Sequence, residues 1–237
     1  MNTGILLSGG KGTRINTEVP KQYVRINGHM IVTYSLKAMM KSAYIDRVRI
    51  VAEDEWQEDI IKDAGLMGLD EGKISGFSRP GENRQGSIFN AVSDIIGSAT
   101  ESAAATDDDT VLIHDAARPL LMTELIDRCY DALKGHDGVM PVLPMKDTVY
   151  LSEDGGRISG LLDRSKVYAG QAPELFKIKP YYEANKALLP DRINAVNGAS
   201  EPAVMYGMDI ALVAGDEGNY KITTDADMER FRVGCGM

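Results

Sequence analysis

Cysteine is nearly absent from the chain: Cys129 and Cys235 stand far apart in 237 residues and suggest neither a disulfide framework nor a zinc site. Histidine is as sparse, and His29, His114 and His136 show no ligand spacing to either cysteine. A metal, if one is used, is then a hard cation held by carboxylate oxygens. The opening Met1-Asn2-Thr3-Gly4-Ile5-Leu6-Leu7 has no basic flank, and its apolar run is far too short for a secretory leader or a membrane span. A cytoplasmic location is expected. Basic residues are also in deficit, with 26 Lys+Arg against 35 Asp+Glu and a formal charge of −9, which argues against nucleic acid or an anionic membrane as partners. Any anionic substrate must therefore meet a local cluster of cations.

What is present is an ordinary globular composition, 43% hydrophobic and 26% charged, enough for a full core. The length favours one domain over residues 1–237, and no internal repeat or low-complexity linker interrupts it. Thr3 to Leu7 reads as a short buried strand. Val32, Leu36, Met39 and Met40 then recur at helical spacing, and Arg47 to Ala52 alternates as a strand. Arg84 to Gly97 carries one apolar stripe of Ile88, Ala91, Val92, Ile95 and Ile96. Residues 98–109 are small and acidic and read as an exposed loop, followed by a buried strand at Thr110 to Ile113. A helix through Leu125, Ile126, Cys129, Tyr130 and Leu133 and a strand from Gly138 to Val142 continue the alternation. The pattern predicts an α/β fold with a mainly parallel, twisted sheet covered by helices. Residues 145–166 break the rhythm around Glu153-Asp154-Gly155-Gly156, a hairpin turn that predicts a projecting β-arm suited to dimerisation. A helix near Tyr181 to Leu188, a strand at Ile210 to Val213 and a helix capped near Thr224 complete the chain.

The first strand runs into Ser8-Gly9-Gly10-Lys11-Gly12, a turn whose glycines let backbone N–H groups approach a phosphate. No Gly-Lys-Ser/Thr string follows four spacer residues, so the P-loop reading fails. Ile15 stands where a dinucleotide fingerprint needs its third glycine, so that reading weakens too. Lys11, Arg14, Lys21 and Arg25 fall within fifteen residues that contain one acid, Glu18. This is the local cluster that an acidic chain needs for a triphosphate.

Leu7 to Arg14, Pro20-Lys21-Gln22-Tyr23, Gly81-Glu82-Asn83-Arg84-Gln85-Gly86-Ser87, His114-Asp115-Ala116-Ala117-Arg118-Pro119, Asp147-Thr148, Asp163-Arg164 and Asn219-Tyr220-Lys221-Ile222-Thr223 occur in that order. Together they resemble the 2-C-methyl-D-erythritol 4-phosphate cytidylyltransferase family and its ribitol-5-phosphate cytidylyltransferase relatives, over nearly the whole chain. The resemblance implies a Rossmann-like nucleotidyltransferase fold and transfer of CMP from CTP to a polyol phosphate, with release of pyrophosphate. It implies Arg14, Lys21, Arg164 and Lys221 as catalytic residues. Leu7, Ser8, Gly9, Gly10, Gly81, Glu82, Arg84, Ser87, Asp115 and Ala116 would bind the nucleotide, with Asp115 the ligand of Mg²⁺. Arg118, Thr148 and Arg164 would hold the acceptor, in a site shared between the subunits of a homodimer through the arm. Asn219 is a further candidate beside the metal.

The departures from the family pattern lie on the acceptor side. Gln171-Ala172-Pro173-Glu174 replaces the usual Thr-Pro-Gln, and Asn197-Gly198-Ala199-Ser200-Glu201 stands for Thr-Asp-x-Ala-Ser. The acceptor is therefore open between methylerythritol phosphate, favoured as the name-giving substrate, and ribitol phosphate. Two further readings are a sugar-1-phosphate nucleotidylyltransferase, against which His-Asp-Ala-Ala-Arg-Pro speaks, and a catalytically silent nucleotide-binding subunit.

Overall fold

The computed structural model describes residues 1–10, 17–97 and 105–236. Its strands are β1 (Asn2–Leu7), β2 (Arg25–Ile26), β3 (His29–Met30), β4 (Arg47–Val51), β5 (Ile74–Ser78), β6 (Thr110–Asp115), β7 (Gly138–Pro144), β8 (Tyr150–Leu151), β9 (Gly160–Leu161), β10 (Tyr168–Gly170), β11 (Glu174–Lys177) and β12 (Ile210–Ala214). Its helices are α1 (Ile31–Lys41), α2 (Asp54–Leu66), α3 (Arg84–Gly97), α4 (Thr123–Ala132), α5 (Ile178–Lys186), α6 (Ser200–Met205) and α7 (Asp225–Gly234).

β1 pairs in parallel with β4 and β6, β4 with β5, and β7 with β12. β11 lies antiparallel between β6 and β7, and β10 continues along the same edge of β7. The expected mainly parallel sheet is thus present with two reversed strands inside it. All of β6 is buried, as a central strand covered on both faces must be. Alternation along β1 and β6 sends Ile5, Val111 and Ile113 to one face, against α3, α5 and α6, and Leu6 and Leu112 to the other, against α1, α2 and α4. The same parity points Asp115 toward the α3 face and His114 toward α1.

Two consequences position the functional site. The parallel strands β1, β4, β5 and β6 all end on one side of the sheet, where α/β folds bind their ligands. The chain after β7 leaves the sheet as the expected arm: β8 and β9 pair antiparallel, and the Asp154 carboxylate accepts the Gly156 and Arg157 N–H groups at 2.8 and 2.9 Å. Gly155 supplies the left-handed conformation that the turn requires, at φ 72°. α7 begins as predicted at Thr224, which forms a reciprocal cap with Asp227.

Candidate active site

The glycine turn after β1 is supported from below. Ser8 closes β1 by donating its N–H to Val51 O at 2.9 Å. Gln22 Nε2 donates to Ser8 O at 2.7 Å and Gly10 O at 2.6 Å, and Tyr23 Oη donates to Ser8 O at 2.8 Å while its ring stacks on Trp56. With these carbonyls held from the Pro20-Lys21-Gln22-Tyr23 segment, Gly9 and Gly10 line the cleft. A second turn faces it across the cleft. Asn83 caps α3 by accepting the Gly86 N–H at 2.7 Å, and Ser87 Oγ accepts the Gly81 N–H and donates to Asn83 O, each at 2.9 Å. A Cβ on Gly81 would lie 2.5 Å from the Gly86 carbonyl carbon, so only glycine fits this crossing.

Asp115 is the centre of charge. Its Oδ1 lies 3.2 Å from Arg84 Nε, and its Oδ2 lies 3.0 Å from Lys221 Nζ and 3.6 Å from Arg118 Nε. Burial acts most strongly on this carboxyl and pushes its pKa up, but Arg84, Lys221 and Arg118 outweigh it and hold the group well below the usual carboxylate range. Arg84 also reaches Glu174, Nη2 to Oε1 3.5 Å, and burial raises the pKa of that carboxyl. The two turns, Lys21, Asp115 and Lys221 line one cleft of about 470 Å³. A buried carboxylate ringed by three cations, beside Gly9, Gly10 and Gly81 in the cleft wall, is suited to a phosphate chain and a hard metal.

The sequence model of the 2-C-methyl-D-erythritol 4-phosphate cytidylyltransferase family matches residues 3–233. The chain belongs to this family. A relative from Cereibacter sphaeroides named 2-C-methyl-D-erythritol 4-phosphate cytidylyltransferase is 31% identical over 226 residues, 95% of this chain and 93% of that protein. A ribitol-5-phosphate cytidylyltransferase of Streptococcus agalactiae is 29% identical, covering 98% of this chain and 94% of that protein. The solved 4-diphosphocytidyl-2C-methyl-D-erythritol synthase from Anaerococcus prevotii superposes with a TM-score of 0.80 at 25% identity, covering 100% and 96% of the two chains. Membership in this cytidylyltransferase family makes the chain a nucleotidyltransferase.

Of the residues the family resemblance singles out, Leu7, Gly9, Gly10 and Lys21 line the cleft from the β1 side. Gly81, Glu82, Arg84 and Ser87 line it from the α3 side, and Asp115 and Lys221 from its floor. Ser8 lies buried at the edge, its Oγ without a partner among the described residues. Arg14 lies outside the described residues. The structure also gives several of these residues partners within the chain. Ala116 is buried behind the turn, and Ala117 takes its place in the cleft wall. Ser87 spends both hydrogen-bonding directions on the Gly81–Asn83 turn. Arg84 faces two carboxylates, and Arg118 turns inward, with Nη1 donating to Asn219 O at 2.7 Å. Asn219 itself is wholly buried, donating to Ala172 O at 2.7 Å, which makes it a support beneath Lys221. Arg25, counted in the basic cluster, is drawn away by buried Asp63 at 2.6 Å. Thr148 and Arg164 are exposed and stand on the arm, where Arg164 Nη1 donates to Lys146 O at 2.6 Å.

For a hard cation such as the Mg²⁺ that the resemblance implies, Asp115 is a suitable donor: an oxygen ligand at the end of β6 whose ionised form Arg84, Lys221 and Arg118 favour. Among the described residues no three carboxylate, histidine or cysteine groups converge, and Mg²⁺ is commonly held by one or two carboxylates with waters and substrate phosphates completing its shell. The donor set fits a metal that shares its coordination with a nucleotide.

His114 adds a testable pH dependence. Burial pushes its pKa down from 6.5 to about 4, outweighing the hydrogen bond to Arg118 O. Between those values the unfolded chain binds the extra proton and the folded chain does not, so stability falls as pH drops from 6.5 toward 4, by about 3 kcal/mol for this group. Thermal melts at pH 7 and pH 5 are expected to show a larger loss for the wild type than for His114→Gln. Parallel losses would contradict the assignment.

Proposed function

We propose that the enzyme transfers CMP from CTP to the phosphate of 2-C-methyl-D-erythritol 4-phosphate and releases pyrophosphate, in the cytoplasm. The observation that carries this reading is the Asp115 cluster, with Lys221 and Arg84 on the carboxylate and Lys21 in the same cleft, facing the glycine turn. An acceptor phosphate is already anionic, so in-line attack on the α-phosphorus needs no general base, and the work left to the protein is positioning and neutralisation of charge. Lys21, Lys221 and Arg14 would hold the phosphate oxygens and stabilise charge on the leaving pyrophosphate. Asp115 would hold Mg²⁺, which when bound supplies a second source of positive charge at the phosphates. The Gly81–Ser87 turn and α3 would enclose the base and ribose.

The acceptor side is proposed to be completed by a second copy. The arm exposes Tyr150, Leu151, Ile158, Leu161 and Leu162, and an isolated two-stranded hairpin with so much bare apolar surface is marginal in water. Burial against a partner would cover it and carry Thr148 and Arg164 to that partner's cleft. Ribitol 5-phosphate is the second reading, supported by the 29% identical relative and by Ala172 and Asn197 on the acceptor side.

Pyrophosphate release from CTP and Mg²⁺ with each acceptor, side by side, tests the proposal. A preference of about a hundredfold for methylerythritol phosphate is expected, within the range that hydrogen-bonding sites achieve; an equal preference for ribitol phosphate would overturn the assigned acceptor. Release with UTP but not CTP would overturn the cytidylyl reading, and CTP binding without release would indicate a silent subunit. Lys21→Ala is expected to lower kcat roughly tenfold or more, and unchanged turnover would remove Lys21 from the mechanism.

A further inference from the structure

The turn that follows β6 carries Asp115 and Arg118 and lies beside Lys221, yet the groups that hold it come from outside the cleft. Each of its four carbonyls has a donor. Asp115 O accepts the Arg118 N–H at 3.0 Å, and Ala117 O accepts the Ile222 N–H at 2.8 Å. Ser35 Oγ, on α1, lies 3.2 Å from Ala116 O and 3.1 Å from Arg118 O, and shares its single proton between them. His114 Nε2 lies 3.1 Å from Arg118 O. A carbonyl only accepts, so the imidazole carries its proton on Nε2. Ser35 and His114 are both wholly buried, and neither lines the cleft.

The burial of His114 is otherwise uneconomical for the fold. Its Nδ1 is sealed from solvent with no hydrogen-bond partner among the described residues, a cost that an apolar side chain in the same core would not incur. What the imidazole supplies is one donor aimed at the turn. A shift of that turn would move Asp115 and Arg118 directly, and would move Lys221 through the bond between Ala117 O and Ile222 N.

We infer that Ser35 and His114 are positioning residues: by holding the carbonyls of Ala116 and Arg118 they set the 115–118 turn, and through Ala117 they set Lys221 against Asp115. The catalytic part of this inference rests on the proposed nucleotidyl transfer; the structural part does not. Groups that act on charge developing during the reaction are sensitive to displacement, and a misplacement of about 1 Å can cost on the order of 10²-fold. The glycine turn and the Gly81 turn are built independently, so nucleotide affinity should suffer less than turnover.

The test compares Ser35→Ala, His114→Leu and His114→Gln with the wild type. Hydrogen exchange of the Ile222 amide, a site far from both substitutions in sequence, reads the turn without any need for activity. Ser35→Ala and His114→Leu are expected to exchange that amide roughly tenfold faster, and to lose about 10- to 100-fold in kcat for pyrophosphate release while the Kd for CTP stays within about threefold. His114→Gln, whose amide nitrogen can donate to Arg118 O, is expected to restore most of both. Unchanged protection of Ile222 in Ser35→Ala and His114→Leu would overturn the inference, as would faster exchange with wild-type kcat. If His114→Leu fails to fold, Ser35→Ala, which deletes one oxygen, decides the matter alone. A wild-type chain that bound CTP and released no pyrophosphate would overturn the proposed function, while the exchange rates would still judge the turn.

Discussion

Asp115→Asn is expected to lower kcat by roughly 10³-fold and to lower unfolding free energy by about 3–5 kcal/mol. The substitution keeps the shape of the side chain and removes the charge on which three cations converge. Arg84, Arg118 and Lys221 then face one another with Glu174 as the remaining carboxylate paired with any of them among the described residues, and of the three it pairs with Arg84. Breaking one partner out of a buried ionic cluster leaves the others desolvated and unpaired, which is why stability falls along with activity. The same change replaces the anionic oxygen ligand proposed for Mg²⁺ by a neutral amide, a weaker ligand for a hard cation. Pyrophosphate release and urea unfolding measure the two effects, and a variant with wild-type stability and turnover would remove Asp115 from the centre of the site.

Lys221→Met separates charge from packing. The methionine keeps the length of the apolar stem, and the lysine side chain is 34% exposed, so stability should change by less than about 1 kcal/mol. The ammonium group, though, lies 3.0 Å from Asp115 in the wall of the cleft, where the proposed mechanism needs it on a phosphate oxygen. Removing one such contact typically costs about 10²–10³ in kcat. Steady-state kinetics should show the loss mainly in kcat. A loss confined to KM would assign Lys221 to ground-state binding instead.

Much of the scaffold was legible because its elements bury clear stripes. α3 was recognisable from Ile88, Ala91, Val92 and Ile95, all buried on the sheet, and β6 from an unbroken apolar run. α2 left no such trace. It buries Ile60 and Ala64 together with Asp63, and a buried carboxylate looks like a surface residue to any periodicity. Its partners explain it: Asp63 accepts from Arg25 Nη1 at 2.6 Å, Met30 N at 2.9 Å and Thr33 Oγ1 at 2.5 Å, and so ties the segment after Lys21 to α2. β10 and β11 were missed for a different reason, since strands of three and four residues are too short to display alternation.

The site was legible as motifs but not as contacts. Pro20-Lys21-Gln22-Tyr23 marked the family, whereas the use of Gln22 and Tyr23 to hold the glycine turn depends on where two loops meet in space. Arg84, expected beside base and ribose, also joins Asp115 to Glu174, because β6 and β11 pair side by side and set Glu174 opposite Ile113. Ser35 carried no signal at all: a serine inside an apolar helical stripe is ordinary, and its two acceptors lie more than eighty residues away. Non-local pairing of this kind is invisible to spacing along one chain.

The most direct test is a crystal structure of the chain with CTP and Mg²⁺. The account expects the triphosphate between the glycine turn and Asp115, with the amines of Lys21 and Lys221 on phosphate oxygens and the metal held by Asp115. A nucleotide seated elsewhere, with Lys221 still on Asp115 and no metal at that carboxylate, would contradict it.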